Sequence, residues 1–200
     1  MTIDDFSRPA DRDGFRFRGG HIALDLTATL AGRAKPAPRE LLDSPTDLLR
    51  WLASAGLAAE GAMQADLEVA HYLREAIYAL AVARLSGADR PAEREILNRV
   101  ASAMPALPRL KPDGSVELSG TAAAMLSTIA REAITLFGGR QADHLHQCEA
   151  DGCSLLFVDN SRRGDRRWCS MAGCGNRAKL AEFRRRKRDR AASPDTARDH

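Results

Sequence analysis

The chain has 200 residues, 44% of them apolar, and a formal net charge of +3. This length suits one large domain or one medium domain with an appended module, and the apolar content is typical of globular proteins. Because no run of about 18 apolar residues and no secretion signal is evident, we expect a cytoplasmic protein that makes no membrane contact.

The first part of the chain predicts a short strand followed by helices. A polar segment over residues 1–14 is expected to be loose, and "FRFRGGHIALDLTATL" predicts a strand that leads into a helix or a second strand. Capping residues, helical spacing of apolar residues and glycine stops predict four further helices: 45–55 after Ser44, within 58–86 before Gly87, 91–104, and 122–137 after Thr121. The segment "PRLKPDGSVELSG" predicts a hairpin with a Pro-Asp-Gly turn.

Three polar residues in this part are candidates for a ligand pocket. His21 and Asp25 are four positions apart, as on one helix face, and resemble an acid/base pair, with capping or a core hydrogen bond as the alternative. Arg74 lies on an apolar helix stripe, where an unpaired charge is costly. We expect either a carboxylate partner such as Asp25 or a small anionic effector. Because the sequence contains no G-x-G-x-x-G or Walker loop, no G-x-S-x-G and no H-E-x-x-H motif, we expect no enzymatic activity.

All cysteines lie in the last third of the chain, in two C-x4-C pairs with fifteen residues between them: Cys148, Cys153, Cys169 and Cys174. Paired cysteines in a cytosolic chain favour a metal site, and four thiolates complete the shell of one structural Zn²⁺. Redox cysteines or a disulfide are the alternative, and His144 and His146 are alternative ligands.

The sequence between the pairs predicts a hairpin. Residues 155–158 have the composition of a strand, "DNSRRGD" supplies turn residues, and Trp168 begins the return strand. A helix follows the second pair. Because this segment has few large apolar side chains, we expect it to fold only with its metal. The overall prediction is a mainly α protein: a helical domain over residues 15–140 with a short hairpin, and a small zinc-bound hairpin/helix module over residues 144–190, termed the finger below.

The finger resembles a known family. The F-V-D-x-S-R segment over residues 157–162, the R-R-W-C-S-M run over residues 166–171 and the tetrapeptide over residues 174–177 occur in the order of the CGNR zinc-finger family. In that family the finger follows a mostly helical domain called ABATE. Here "GHIALDLTATL" resembles its opening G-x-x-x-L-D-x-x-N-T, with Ala28 at the asparagine. The resemblance implies a stress-induced transcription regulator.

The charge of the chain is concentrated at this end. Residues 161–190 hold twelve Lys/Arg and three Asp/Glu, a local charge of +9, whereas residues 1–160 hold seventeen and twenty-two, a local charge of −5. Such a basic segment predicts a polyanionic partner, with a solvated tail as the alternative. The predicted nucleic-acid-binding residues are Arg162, Arg163, Arg166, Arg167, Asn176, Arg177, Arg184 and Arg188.

The helix after the second cysteine pair carries the most specific prediction. Arg177, Arg184 and Arg188 fall within about 40° of one another on a helical wheel. Leu180 and Phe183 lie to one side, where we expect them to pack on the finger. Asn176 is either the helix cap or a base contact.

Smaller roles are predicted around the metal ligands. Gly175 is expected to allow a tight turn that aims amides at the Cys174 sulfur. Trp168 is expected in the core of the finger, with base stacking as the alternative.

These predictions define a DNA-binding transcription regulator whose helical domain senses a ligand or forms a homodimer. The alternative is an RNA-binding or protein-interaction adaptor that uses the finger as a scaffold.

Overall fold

The computed structural model of the protein describes residues 10–192 and is mainly helical, with small hairpins. The helices are α1 (Ile22–Thr27), α2 (Pro45–Ser54), α3 (Gln64–Ser86), α4 (Pro91–Ala101), α5 (Ala122–Gly138) and α6 (Asn176–Ala192). The strands are β1 (Ala10–Arg12), β2 (Phe15–Phe17), β3 (Leu30–Ala31), β4 (Arg39–Glu40), β5 (Ala58–Ala59), β6 (Leu107–Leu110), β7 (Val116–Gly120), β8 (Leu145–Gln147) and β9 (Leu156–Val158). Within residues 10–192, no helix is both long and apolar enough to cross a membrane.

Local signals at the helix ends are confirmed. The Ser44 hydroxyl accepts a hydrogen bond from Asp47 N at 3.2 Å, and the Thr121 hydroxyl accepts one from Ala124 N at 3.2 Å. Gly87 ends α3 with φ 72°, a left-handed conformation that favours glycine. These caps satisfy terminal backbone groups, so α2, α3 and α5 begin or end where the sequence predicts.

The strands form four small sheets. β1 pairs with β2, β3 with β4 and β8 with β9, all antiparallel, while β7 lies between antiparallel β6 and parallel β5. The predicted β6/β7 hairpin is confirmed, with Leu110 opposite Val116. The prediction of a loose segment is wrong for residues 10–14, because β1 pairs with β2 there; residues 1–9 lie outside the described range. Helix α3 begins at Gln64, since residues 58–59 form β5.

The main core lies around α1, every residue of which is buried. Helices α3 and α5 pack on α1, and Trp51 of α2 stacks on Phe17 with ring centroids 6.0 Å apart. One face of the β8/β9 hairpin, with Leu145, Leu156 and Val158, belongs to the same core. The division into a helical domain over residues 15–140 and a finger over residues 144–190 stays a prediction, and the two parts share this core.

Candidate metal centre and basic helix

The β8/β9 hairpin positions the first cysteine pair. Cys148 directly follows β8 and donates its backbone N–H to Leu155 O at 2.9 Å, and the Cys153 N–H closes the turn onto Ala150 O at 2.9 Å. The loop of the hairpin therefore contains both cysteines of the first pair. The predicted hairpin between the two cysteine pairs is wrong: β9 pairs with residues before Cys148 instead of with a strand at Trp168.

The second cysteine pair lies at the entrance to α6. The Ser170 hydroxyl accepts a hydrogen bond from Gly173 N at 3.1 Å and caps one π-helical turn, Met171–Gly175, that continues into α6. Gly175 donates its amide to Ser170 O at 2.9 Å, so the prediction that it aims at the Cys174 sulfur is wrong. A Cβ at this position would lie 2.7 Å from Met171 Sδ, and close packing therefore favours glycine.

The four sulfur atoms form one compact cluster. All four Sγ atoms of the pairs lie within 4.8 Å of one another, with Cys153 and Cys169 at 4.0 Å and Cys169 and Cys174 at 3.5 Å. A tetrahedron with metal–sulfur bonds of about 2.3 Å has sulfur–sulfur edges of about 3.8 Å. The cluster therefore fits one Zn²⁺, and the predicted four-cysteine zinc site is confirmed. His146 stacks on Phe157 and lies outside the cluster.

Hydrogen bonds to the sulfur atoms favour the thiolate form that binds a cation, whereas burial raises the pKa of these thiols. The hydrogen bond with Cys169 lowers the pKa of Cys153 to about 5, which makes this sulfur a thiolate at neutral pH. Cys169 N donates to Cys148 Sγ at 3.4 Å, and Arg177 Nη2 donates to Cys174 Sγ at 3.1 Å. Such donors stabilise thiolates, the form that binds zinc.

Arg166 has a structural role that the sequence did not reveal. Its Nε donates to Trp168 O at 3.0 Å, and its Nη2 donates to Cys169 O at 2.5 Å and to Arg18 O at 3.2 Å. The guanidinium lies 4.2 Å from the centroid of the Phe157 ring. Arg166 thus joins the second cysteine pair to the helical domain, and its contact with nucleic acid stays a prediction.

Asp159 shapes the loop that precedes Arg166. Its carboxylate accepts from Ser161 N at 2.9 Å and from Arg166 N at 2.8 Å. Burial alone would raise the pKa of Asp159, but these hydrogen bonds outweigh it and lower the pKa. The loop consequently presents Arg162 and Arg163 to solvent.

The remaining predicted nucleic-acid contacts have different environments. Arg167 is exposed, but its Nε donates to Glu149 at 2.6 Å and its guanidinium lies 5.1 Å from the Trp168 ring. Trp168 packs against the finger core, as predicted. Asn176 does not cap α6: its Nδ2 donates to Ala172 O at 3.4 Å while Ser170 makes the cap.

Helix α6 projects away from the rest of the protein. Every side chain from Lys179 to Asp189 is exposed. Residues 177–189 contain seven Lys/Arg and two Asp/Glu, and Arg184 and Arg188 lie on the exposed surface. The prediction that Leu180 and Phe183 pack on the finger is wrong, since they are 56% and 66% exposed.

The three candidate pocket residues of the helical domain have separate protein partners. Arg74 is buried and binds Glu40 at 2.6 Å and Glu75 at 2.9 Å, so the expected Asp25 partner is wrong. His21 is the N-cap of α1, where its Nδ1 accepts from Ala23 N at 3.3 Å, and burial lowers its pKa to about 4.

Asp25 is fully buried at the centre of the molecule. Its Oδ1 accepts from Gly19 N at 2.7 Å, and Oδ2 has no hydrogen-bond partner among the described residues. Burial raises its pKa to about 8, so the side chain is largely protonated at neutral pH. Each of the three residues thus has a partner within the protein, and their role in a ligand pocket stays a prediction.

Sequence analysis missed a second group of cations, at residues 16–18 and 33–39. They lie beside the finger, and Ala28, at the position of the family's asparagine, packs against the finger core. The local charge pattern could have predicted this group, because residues 26–39 contain three basic residues and no Asp or Glu.

Comparison with known proteins agrees with this geometry. Residues 20–140 match the ABATE family, described as "Putative stress-induced transcription regulator", and residues 144–187 match the CGNR zinc finger. No curated protein matches the chain.

Proposed function

Because this chain belongs to the ABATE family and carries a C-terminal CGNR zinc finger, we propose that it is a transcription regulator that binds DNA through the finger and helix α6. The observation that carries the proposal is the exposed, strongly basic helix directly after the zinc ligands. We expect the protein to act in the cytoplasm and to have no enzymatic activity.

The isolation of α6 supports a partner that covers it. An isolated helix of this length is only marginally stable in water, and its side chains from Lys179 to Asp189 are all exposed. Arg184 and Arg188 share one face with Arg177, and a helix of ordinary diameter fits the DNA major groove. A zinc ion bound by the four cysteines would hold the start of α6, and we propose that the exposed Arg162 and Arg163 extend its basic surface.

The test is duplex binding across a salt series, measured by fluorescence anisotropy with the full chain. Replacing Arg184 or Arg188 by Ala should weaken binding to all duplexes and reduce the slope of log K against log salt by about 0.9 for each phosphate that the variant no longer neutralises. Arg99→Ala is the matched control, because it removes the same charge from an exposed position of helix α4. If both α6 variants bind like the Arg99 variant, α6 does not contact DNA.

Arg177 requires a separate expectation, because it donates to a zinc ligand. Arg177→Ala should lower zinc retention in the free protein. A base contact would in addition cost about 1–3 kcal/mol on a preferred sequence and little on random DNA. Binding to both kinds of duplex and zinc release without DNA separate the two roles.

The exposed Leu180 and Phe183 favour the alternative of a protein-interaction adaptor, since apolar side chains on a free helix suit a protein partner. The same salt series decides between the functions: duplex binding that no α6 variant alters favours the adaptor, and binding confined to single-stranded RNA favours an RNA-binding protein.

The helical domain is proposed as the sensor or homodimer module. Strand β6 is the edge of its sheet, and Leu107 and Leu110 on it are 60% and 78% exposed. These exposed apolar side chains suit packing against a second copy, whereas Pro108 has no N–H to offer a further strand. A monomer in sedimentation at tens of micromolar, with and without DNA, would contradict the homodimer.

A further inference from the structure

A cleft of about 580 Å³ lies between the helical domain and the finger. One wall comes from β2 and the segment from the end of α1 to β4, and the other comes from the first cysteine turn and the start of α6. Its described lining contains no carboxylate. The cationic side chains that line it are Arg16, Arg18, Arg33, Lys35, Arg39 and Arg177.

Half of these cations are balanced within the protein. Arg18 binds Asp11 at 2.6 Å, Arg33 binds Glu75 with Nη2–Oε1 at 3.0 Å, and Arg177 donates to Cys174 Sγ. A zinc ion with four thiolates carries a net charge of −2, so Arg177 offsets half of it and a net charge of −1 remains at this wall of the cleft.

The other half is unbalanced. Arg16, Lys35 and Arg39 are exposed and form no ion pair within the part of the chain that the structure describes. These three cations outweigh the remaining charge of −1 on the zinc centre, so the cleft has a positive potential that attracts an anion.

The size and the remaining lining indicate what kind of anion fits. Small-molecule sites usually enclose about 300–1,000 Å³. Beside its cations the cleft has small apolar side chains, including Ala28, Leu30 and Ala37. A bare inorganic ion would leave this apolar wall unused, whereas an organic anion covers it.

We propose that the cleft binds a small organic phosphate with two or more negative charges, held by Arg16, Lys35 and Arg39. Arginine and lysine are the usual phosphate-binding side chains, and two or more negative charges match the three unbalanced cations. The occupant contacts both the helical domain and the first turn of α6. Any effect of the phosphate on the nucleic-acid affinity of α6 must be reciprocal, since binding free energies are linked.

The test is calorimetric titration of the zinc-loaded full chain at constant ionic strength without DNA, so that its outcome is independent of the proposed DNA binding. The probe is fructose 1,6-bisphosphate, with inorganic phosphate as the comparison. We expect one site per chain and tighter binding of the bisphosphate. Lys35→Ala/Arg39→Ala should weaken binding of the bisphosphate by about tenfold or more, because each charged hydrogen bond is worth about a tenfold change.

The matched control is Arg99→Ala/Arg109→Ala, which removes two exposed cations from the helical domain outside the cleft. It should change the affinity for the bisphosphate less than about twofold. All four positions are exposed, and unchanged zinc content and melting temperature establish that both variants are folded.

Two results would overturn the proposal. One is the absence of saturable binding of the bisphosphate, or an equal loss of affinity in the two double variants. The other is that Lys35→Ala/Arg39→Ala weakens duplex DNA binding and leaves bisphosphate binding unchanged, which would make the cleft part of a DNA surface.

Discussion

Replacing Arg166 by Ala tests whether the finger is held to the helical domain in the way its contacts indicate. The substitution removes three hydrogen bonds from one guanidinium to backbone carbonyls and its contact with the Phe157 ring at 4.2 Å. Hydrogen bonds to charged groups contribute about 1.5–3 kcal/mol each, and a cation–π contact about 0.5–1 kcal/mol. Arg166 is only half-buried, so water can replace some of the hydrogen bonds that the carbonyls lose. We therefore expect a loss of about 3–5 kcal/mol in the free energy of unfolding.

The assay is urea unfolding combined with the rate of zinc release to a chelator. Arg166→Lys should lose most of the same stability, because an ammonium lacks the planar fork that contacts several carbonyls at once. Arg162→Ala, exposed in the same loop, should change the free energy of unfolding by less than about 0.5 kcal/mol. An Arg166→Ala protein as stable as this control, but weaker in binding DNA, would refute the structural role.

The remaining predictions concern the metal, the contact between the two parts and one buried carboxyl. Cys174→Ser should abolish zinc retention and lower the melting temperature of the helical domain too, because the β8/β9 hairpin shares the main core; metal analysis and circular dichroism check this. Gly20→Ala should cost about 1–2 kcal/mol in urea unfolding, since φ is +65° and the new Cβ would lie 3.2 Å from Val158 O. Asp25→Asn should become more stabilising, relative to the parent, by about 1.4 kcal/mol per pH unit near pH 6.5, with a slope that falls to about half of this at pH 8.

The sign of the Asp25 effect follows from its protonation. Its pKa is raised from 3.8 to about 8, so the folded chain retains a proton that the unfolded chain has lost. The stability that this proton contributes is fully present below pH 3.8 and is lost as pH rises to 8. His21, with a pKa lowered from 6.5 to about 4, has the opposite slope between these values, and the difference between parent and variant cancels its contribution. A parent-to-variant difference that is constant with pH in unfolding experiments would contradict the buried, protonated carboxyl.

Features encoded by neighbouring residues were predictable. Helix caps such as Ser44 and Thr121 act within one turn, and the stop at Gly87 depends on its own φ. The cysteine spacing likewise predicts the zinc site, because a four-cysteine ligand set depends only on residue type and loop length. For the same reason the β6/β7 hairpin followed from its turn residues.

Features that depend on contacts between residues far apart in the sequence could not be predicted. The partner of β9 is a three-residue strand before the first cysteine, and nothing in "LHQ" distinguishes it from a loop. Arg162 and Arg166 are the same residue type four positions apart, and only the fold directs one to solvent and the other onto backbone carbonyls. Arg74 donates a hydrogen bond to Glu40, thirty-four positions away, whereas the sequence suggested Asp25 as its partner.

Amide hydrogen exchange of α6 with and without duplex DNA tests the central claim most directly. In the free protein we expect fast exchange along Lys179–Asp189, because these exposed residues have no tertiary packing that prevents local unfolding. On addition of DNA, we expect these amides and those of the loop around Arg162 and Arg163 to become protected, while the β6 amides remain unchanged. DNA binding that leaves α6 exchange unaltered would contradict the assignment of α6 as the DNA-contacting element.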